Sequence, residues 1–153
     1  MVILFLHGLD STPGGKKPSY FAEHGHRVLN PALPSDDFAR SLAIAQAVYD
    51  ERRPDLVVGS SRGGAVAMNI ASGDTPLLLV CPAWKKWGEA TSIKPGTVIL
   101  HSVNDEVIPY AFSQELLEAS APGSRLVEAG HDHRMADSET LSTMLRLATE
   151  LAP

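Results

Sequence analysis

Residues 55–71 read DLVVGSSRGGAVAMNIA, an apolar run that meets Gly-Ser-Ser-Arg-Gly-Gly and passes directly into small residues at helical spacing. Few folds accommodate such a junction. A run that is apolar throughout, rather than alternating, suits a strand covered on both faces, as in a parallel sheet. Glycines beside the serines let the chain turn sharply at the strand's carboxyl end and bring the next helix close to the sheet. Gly59-Ser60-Ser61-Arg62-Gly63 fits G-x-S-x-G, in which a strained strand-to-helix turn presents the central serine, here Ser61, as a nucleophile. Ser60 would be central only in the frame Val58-Gly59-Ser60-Ser61-Arg62, which lacks both flanking glycines, so it is read as shaping the turn. The competing reading is a plain glycine-rich turn capped by serine, and the rest of the chain decides between the two.

Short β-branched or leucine-rich runs recur at 2–6, 27–29, 56–58, 77–81, 97–100 and 125–128, predicting six strands. Helical periods lie between them. Over 36–52, Phe38, Leu42, Ala45 and Tyr49 share one face, Asp36 and Asp37 suit the positive amino end, and Pro54 stops the run. Over 138–151, Leu141, Met144, Leu145, Ala148 and Leu151 form a stripe, and Phe112, Leu116 and Leu117 mark another helix. His24-Gly25-His26 reads as a helix carboxyl cap. This alternation predicts an α/β fold: a right-handed, doubly wound sheet of about six parallel strands with helices on both faces. With 153 residues, 44% of them hydrophobic, one domain over 1–153 is expected. Ligands then belong at the carboxyl ends of the strands.

Charge and composition remove several function classes. Eighteen acidic residues against thirteen Lys and Arg give a net charge of −5, with no electrostatic footprint for nucleic acid. No apolar run approaches the roughly 20 residues that cross a bilayer, so no membrane partner is expected. Cys81 is the only cysteine and the amino terminus shows no basic leader, which points to a reducing cytoplasm. Neither G-x-x-x-x-G-K-[ST] nor G-x-G-x-x-G occurs, so a nucleotide cofactor is not expected.

A serine hydroxyl needs a general base, and the base needs an orienting carboxylate. Both have candidates downstream. HSVNDEVIP follows the fifth predicted strand and carries Asp105; RLVEAGHDHRM spans the sixth and carries His131 and His133. Asp105 could instead serve only a turn, since Asn-Asp is a favoured turn pair. On spacing alone either histidine could be the base. A His-x-His metal site is a further reading, but Zn²⁺ needs more ligands than the sequence singles out, so no metal is expected. The order Ser, Asp, His is the one found in α/β-hydrolases and not in the other two triad folds. The amide of Arg62, next to the nucleophile, is a candidate oxyanion donor.

Four segments, LFLHGLDST, VGSSRGG, HSVNDEVIP and GHDHRM, together resemble the small, lidless α/β-hydrolases and are similar to the YqiA-type bacterial esterases over nearly the whole chain. The resemblance implies His133 as the base. His131 stands where such relatives often carry an acidic or small residue, and it remains the alternative. The resemblance also implies the backbone N–H of Leu9 as second oxyanion donor, with only the backbones of Leu9 and Arg62 taking part. His7 is then a structural loop residue, and His24, His26 and His101 are turn or strand-end residues. The resemblance implies a minimal version of the fold, without the two antiparallel strands expected before the His-Gly strand in larger relatives. Only PAWKKWGEATSIKPG stands where they insert a lid. In that stretch Trp84 and Trp87 are expected to pack and Lys85 and Lys86 to face solvent; the alternative is that the tryptophans wall an acyl pocket and the lysines attract an acidic substrate group. The implied activity is hydrolysis of small carboxylic esters through Ser61, His133 and Asp105. An acyl thioester substrate and a non-catalytic protein-binding role on the same fold are the alternatives.

Overall fold

A computed structural model describes residues 1–152. It contains strands β1 (Val2–Leu6), β2 (Arg27–Leu29), β3 (Leu56–Ser60), β4 (Leu77–Val80), β5 (Val98–His101) and β6 (Arg125–Glu128). The helices are α1 (Lys16–Glu23), α2 (Phe38–Arg52), α3 (Arg62–Asn69), α4 (Tyr110–Glu118) and α5 (Ser138–Leu151). The strands form one sheet in the order β2-β1-β3-β4-β5-β6, and each neighbouring pair is parallel. From β1 the chain steps to one side to make β2, then crosses back to make β3 on the other. The crevice between the ends of β1 and β3 is therefore a topological switch point, where ligands of such sheets collect.

β1 shows how the core is divided. Ile3 and Phe5 point to one face, where they join Phe21 of α1 and Leu141, Met144, Leu147 and Ala148 of α5. Leu4 and Leu6 point to the other, in a cluster with Ala45 and Tyr49 of α2, Val66 and Ala67 of α3 and Leu116 of α4. The two-residue alternation of side chains makes both faces apolar, which is why the strand reads as a continuous apolar run. Each fully buried Leu, Ile or Phe contributes about 1.5–3 kcal/mol relative to exposure.

The helix ends follow from their caps. The Asp37 carboxylate accepts from Arg40 N–H at 2.8 Å, so α2 starts at Phe38, two residues after the acidic pair begins. Asp137 does the same for Thr140 N–H at 2.9 Å ahead of α5. On α5 the fully buried stripe includes Leu147, whereas Leu145 and Leu151 are only partly buried. β3 runs two residues beyond its expected end, through Gly59 to Ser60, carrying the strand up to the turn. Residues 81–97 between β4 and β5 form neither helix nor strand, and no lid is inserted there. No helix among the described residues is long and apolar enough to cross a membrane.

Candidate active site

Ser61 is the residue between β3 and α3, held at φ 54°, ψ −118°, a conformation that side-chain-bearing residues rarely adopt. Hydrogen bonds pin it there: its N–H donates to Val80 O at 2.9 Å, and its own carbonyl accepts from Gly64 N–H and Ala83 N–H at 2.9 and 3.0 Å. The flanking glycines are dictated by contact distance. A Cβ on Gly59 would stand 2.5 Å from Gly63 O, one on Gly64 would stand 2.9 Å from Pro82 Cα, and one on Gly63 would overlap Leu6 O. The glycines of the motif are thus what allows α3 to pack between β1 and β4.

The loops after β5 and β6 bring their polar residues to this turn. Ser61 Oγ lies 3.0 Å from His133 Nε2, and His133 Nδ1 lies 2.7 Å from Asp105 Oδ2. The other carboxylate oxygen, Oδ1, accepts from Val107 N–H and Ile108 N–H, both at 2.8 Å. Burial alone would raise the Asp105 carboxyl, but the bond from His133 and those two amides outweigh it and hold it below its ordinary value. Asp105 is therefore a fixed carboxylate at neutral pH. With Asp105 as acceptor, His133 Nδ1 carries the proton, leaving Nε2 free to accept from the Ser61 hydroxyl. His131 is exposed and lies outside the residues that line the cleft over Ser61.

That cleft, about 580 Å³, also includes Leu9 and Arg62. Arg62 opens α3, so its amide has no carbonyl one turn earlier to bind. The loop bearing Leu9 lies against Ser61, since a Cβ on Gly8 would lie 3.4 Å from Ser61 Cβ. His7 anchors this loop: Nδ1–H donates to Gly8 O at 2.8 Å and Nε2 accepts from Leu33 N–H at 3.0 Å.

The molecule is similar to three solved structures over almost its full length. Alpha/beta hydrolase domain-containing protein 10 from mouse aligns at TM-score 0.79 and 14% identity, covering 98% of this chain and 88% of that one. Est1E from Butyrivibrio proteoclasticus aligns at TM-score 0.74 and 16% identity, covering 98% and 87%. The esterase domain of a Rhodothermus marinus protein aligns at TM-score 0.71 and 16% identity, covering 97% and 84%. This is the α/β-hydrolase fold. No protein-family model matches the sequence, and no curated protein matches it at a significant level.

Within this α/β-hydrolase fold, three features differ from the reading of the sequence. The Arg62 side chain is enclosed in the fold. It is 1% exposed, donates from Nη2 to Pro34 O at 2.8 Å and Ser41 Oγ at 3.2 Å, and stacks against the rings of Trp87 and Phe38 at 4.9 and 5.4 Å. Its placement follows from its position at the first turn of α3, facing α2, which G-x-S-x-G does not encode. His101 is indeed at a strand end, but it is fully buried, with Nε2 3.0 Å from Asp105 Oδ2 and Nδ1 2.7 Å from Ser113 Oγ. Its fourfold spacing from Asp105 was the available signal. Trp84 packs as expected, donating to Phe112 O at 2.9 Å, and Lys85 pairs with Glu115. Trp87 packs too, its ring stacked on Phe38 at 5.7 Å, and Lys86 is exposed, but both also line the cleft, because the segment after Cys81 turns over the end of β3.

Cys81 sits beneath the site, its Sγ within 4.8 Å of ligand atoms of Asp105 and His133. Burial pushes its thiol up to about 12. It is a neutral donor to His133 O at 3.5 Å, not a reactive thiolate.

Proposed function

We propose that the chain is a serine hydrolase acting on small carboxylic esters. The observation that carries this reading is the continuous chain of contacts from Ser61 Oγ through His133 to Asp105, at 3.0 and 2.7 Å, opening onto the cleft. In the first half-reaction Ser61 Oγ bonds to the ester carbonyl carbon while its proton passes to His133 Nε2. The carbonyl oxygen becomes an oxyanion against the N–H groups of Arg62 and Leu9. As the C–O bond to the alcohol breaks, the proton on Nε2 goes to the departing oxygen, leaving an acyl ester on Ser61. Water, deprotonated by His133, attacks that ester. The collapse returns the proton to Ser61 Oγ and releases the carboxylic acid. Asp105 stays ionised throughout and stabilises the imidazolium that forms twice per turnover.

The test is labelling with a fluorophosphonate followed by peptide mapping. A single adduct on Ser61, absent from Ser61→Ala, is expected. Freshly folded protein that takes no label would overturn the reading and favour a binding role for the fold.

A further inference from the structure

The cleft carries charge of the opposite sign to the molecule around it. The chain has a net charge of −5. The residues lining the cleft nonetheless include Lys16, Lys17, Lys86 and Arg134, against a single carboxylate, Asp10. Among the described residues none of these four cations lies within ion-pair distance of an acid, whereas Lys85, next in sequence to Lys86 but outside the cleft, is paired with Glu115. They come in two groups from distant segments. Lys17 Nζ donates to Arg134 O at 2.5 Å, which ties the start of α1 to the loop carrying His133. Lys86 Nζ reaches Val107 O at 3.5 Å, beside the loop carrying Asp105.

A second, independent observation concerns Arg62. Its guanidinium is buried behind Trp87, which lines the cleft, and its Nε and Nη1 have no hydrogen-bond partner among the described residues. Buried donors left unpaired are costly, and a charge screened poorly by water projects its field into the adjacent cavity. Asp36 and Asp37 offset part of that field.

From these two observations we infer that the substrate is an anionic ester, bearing a carboxylate or comparable charge remote from the reacting carbonyl. Such a group gains attraction from Lys86 or from the Lys16, Lys17 and Arg134 group without disturbing the ester at Ser61. This rests on the serine-hydrolase reading and narrows it to a substrate class.

The test uses two pairs of alkyl esters of matched intrinsic reactivity, followed by alkali uptake at pH 7. Monomethyl adipate against methyl hexanoate places the carboxylate on the acyl side; 4-acetoxybutanoate against butyl acetate places it on the alcohol side. In at least one pair the charged ester should show kcat/KM about fivefold or more above its neutral partner at about 20 mM ionic strength, and the ratio should approach one near 0.5 M NaCl. Lys86→Gln and Lys17→Gln should each be measured, and at least one should lower the ratio about threefold, while Lys85→Gln keeps it. The pair that responds assigns the side on which the charge is carried. Neutral esters hydrolysed as well as charged ones in both pairs would overturn this inference and leave the hydrolase reading intact. Where turnover is too slow to follow, the same four esters compete with fluorophosphonate for Ser61, and equal protection within both pairs has the same meaning. Protein that neither turns over an ester nor takes the label overturns the hydrolase reading, and the inference falls with it.

Discussion

His101 Nε2 and His133 Nδ1 meet the same oxygen, Asp105 Oδ2, at 3.0 and 2.7 Å. Nε2 of His101 also faces Ile108 O at 3.0 Å, so it must carry the proton, and Nδ1 accepts from the Ser113 hydroxyl. Burial, the largest influence on this ring, lowers its pKa below the ordinary 6.5 despite the Asp105 carboxylate beside it. The ring is neutral in the fold and readily protonated in the unfolded chain. Its contribution to stability is complete above about pH 6.5 and is lost as pH falls through the lower folded value.

Replacing His101 with Phe removes that linkage. His101→Phe should be less stable than the parent by about 2–4 kcal/mol at pH 7, having lost a buried hydrogen-bond network. Its stability should nonetheless fall less steeply between about pH 7 and pH 5. Denaturant melts at several pH values check both statements, and a variant that acid-destabilises in that window as steeply as the parent refutes the assignment.

The two loop histidines separate cleanly. On the proposed mechanism His133→Ala should lose on the order of 10⁴-fold in kcat on a short p-nitrophenyl ester, and Asp105→Asn a similar amount, the usual effect of removing a triad member. His131, exposed and away from the cleft, should tolerate alanine with most activity kept. An inactive His131→Ala beside an active His133→Ala would move the base to His131.

The glycine at position 63 should be irreplaceable for a steric reason alone, since its φ is unexceptional but a Cβ would overlap Leu6 O, a backbone atom of β1 that cannot yield. Gly63→Ala should cost about 3 kcal/mol or more, or fail to fold. Gly15→Ala, whose added carbon meets only Thr12 O at 3.7 Å, should melt within a few degrees of the parent. Thermal melts of the two variants compare them directly.

The Arg62 side chain gives a fourth prediction. Arg62→Ala should cost about 2–4 kcal/mol, because Pro34 O and Ser41 lose a donor and the Trp87 and Phe38 rings lose their common support. Arg62→Met should recover part of that loss by refilling the volume without a buried charge. Chemical denaturation distinguishes the two, and equal stability of Ala and Met would show that packing is not what the side chain supplies.

What was readable in the sequence was whatever depends on local chain geometry. G-x-S-x-G announces its turn because only glycine survives the contacts at 59, 63 and 64, and Asp105 and His133 stand in loops that must follow strands of a parallel sheet. Arg62 and His101 escaped for the opposite reason: each is polar in a position where pattern suggests solvent or a strand end, and only the packing of α2 and α4 encloses them. Of α1 only the end was legible, in the cap at His24-Gly25-His26, because Lys16–Glu23 buries only Pro18 and Phe21, too few positions to mark a period. The grouping of Lys86 with Lys17 and Arg134 escaped because the three are far apart in sequence and come together only at the crevice.

The backbone of Ser61 leads to one more expectation. A residue held at φ 54°, ψ −118° costs about 1–3 kcal/mol that glycine would avoid, so Ser61→Gly should melt at or above the parent's temperature while losing all turnover. Selection for heat resistance alone would therefore push this position away from serine. A laboratory evolution campaign on this chain needs a screen for the proposed activity in every round, or the most robust survivors will be those that have given up Ser61.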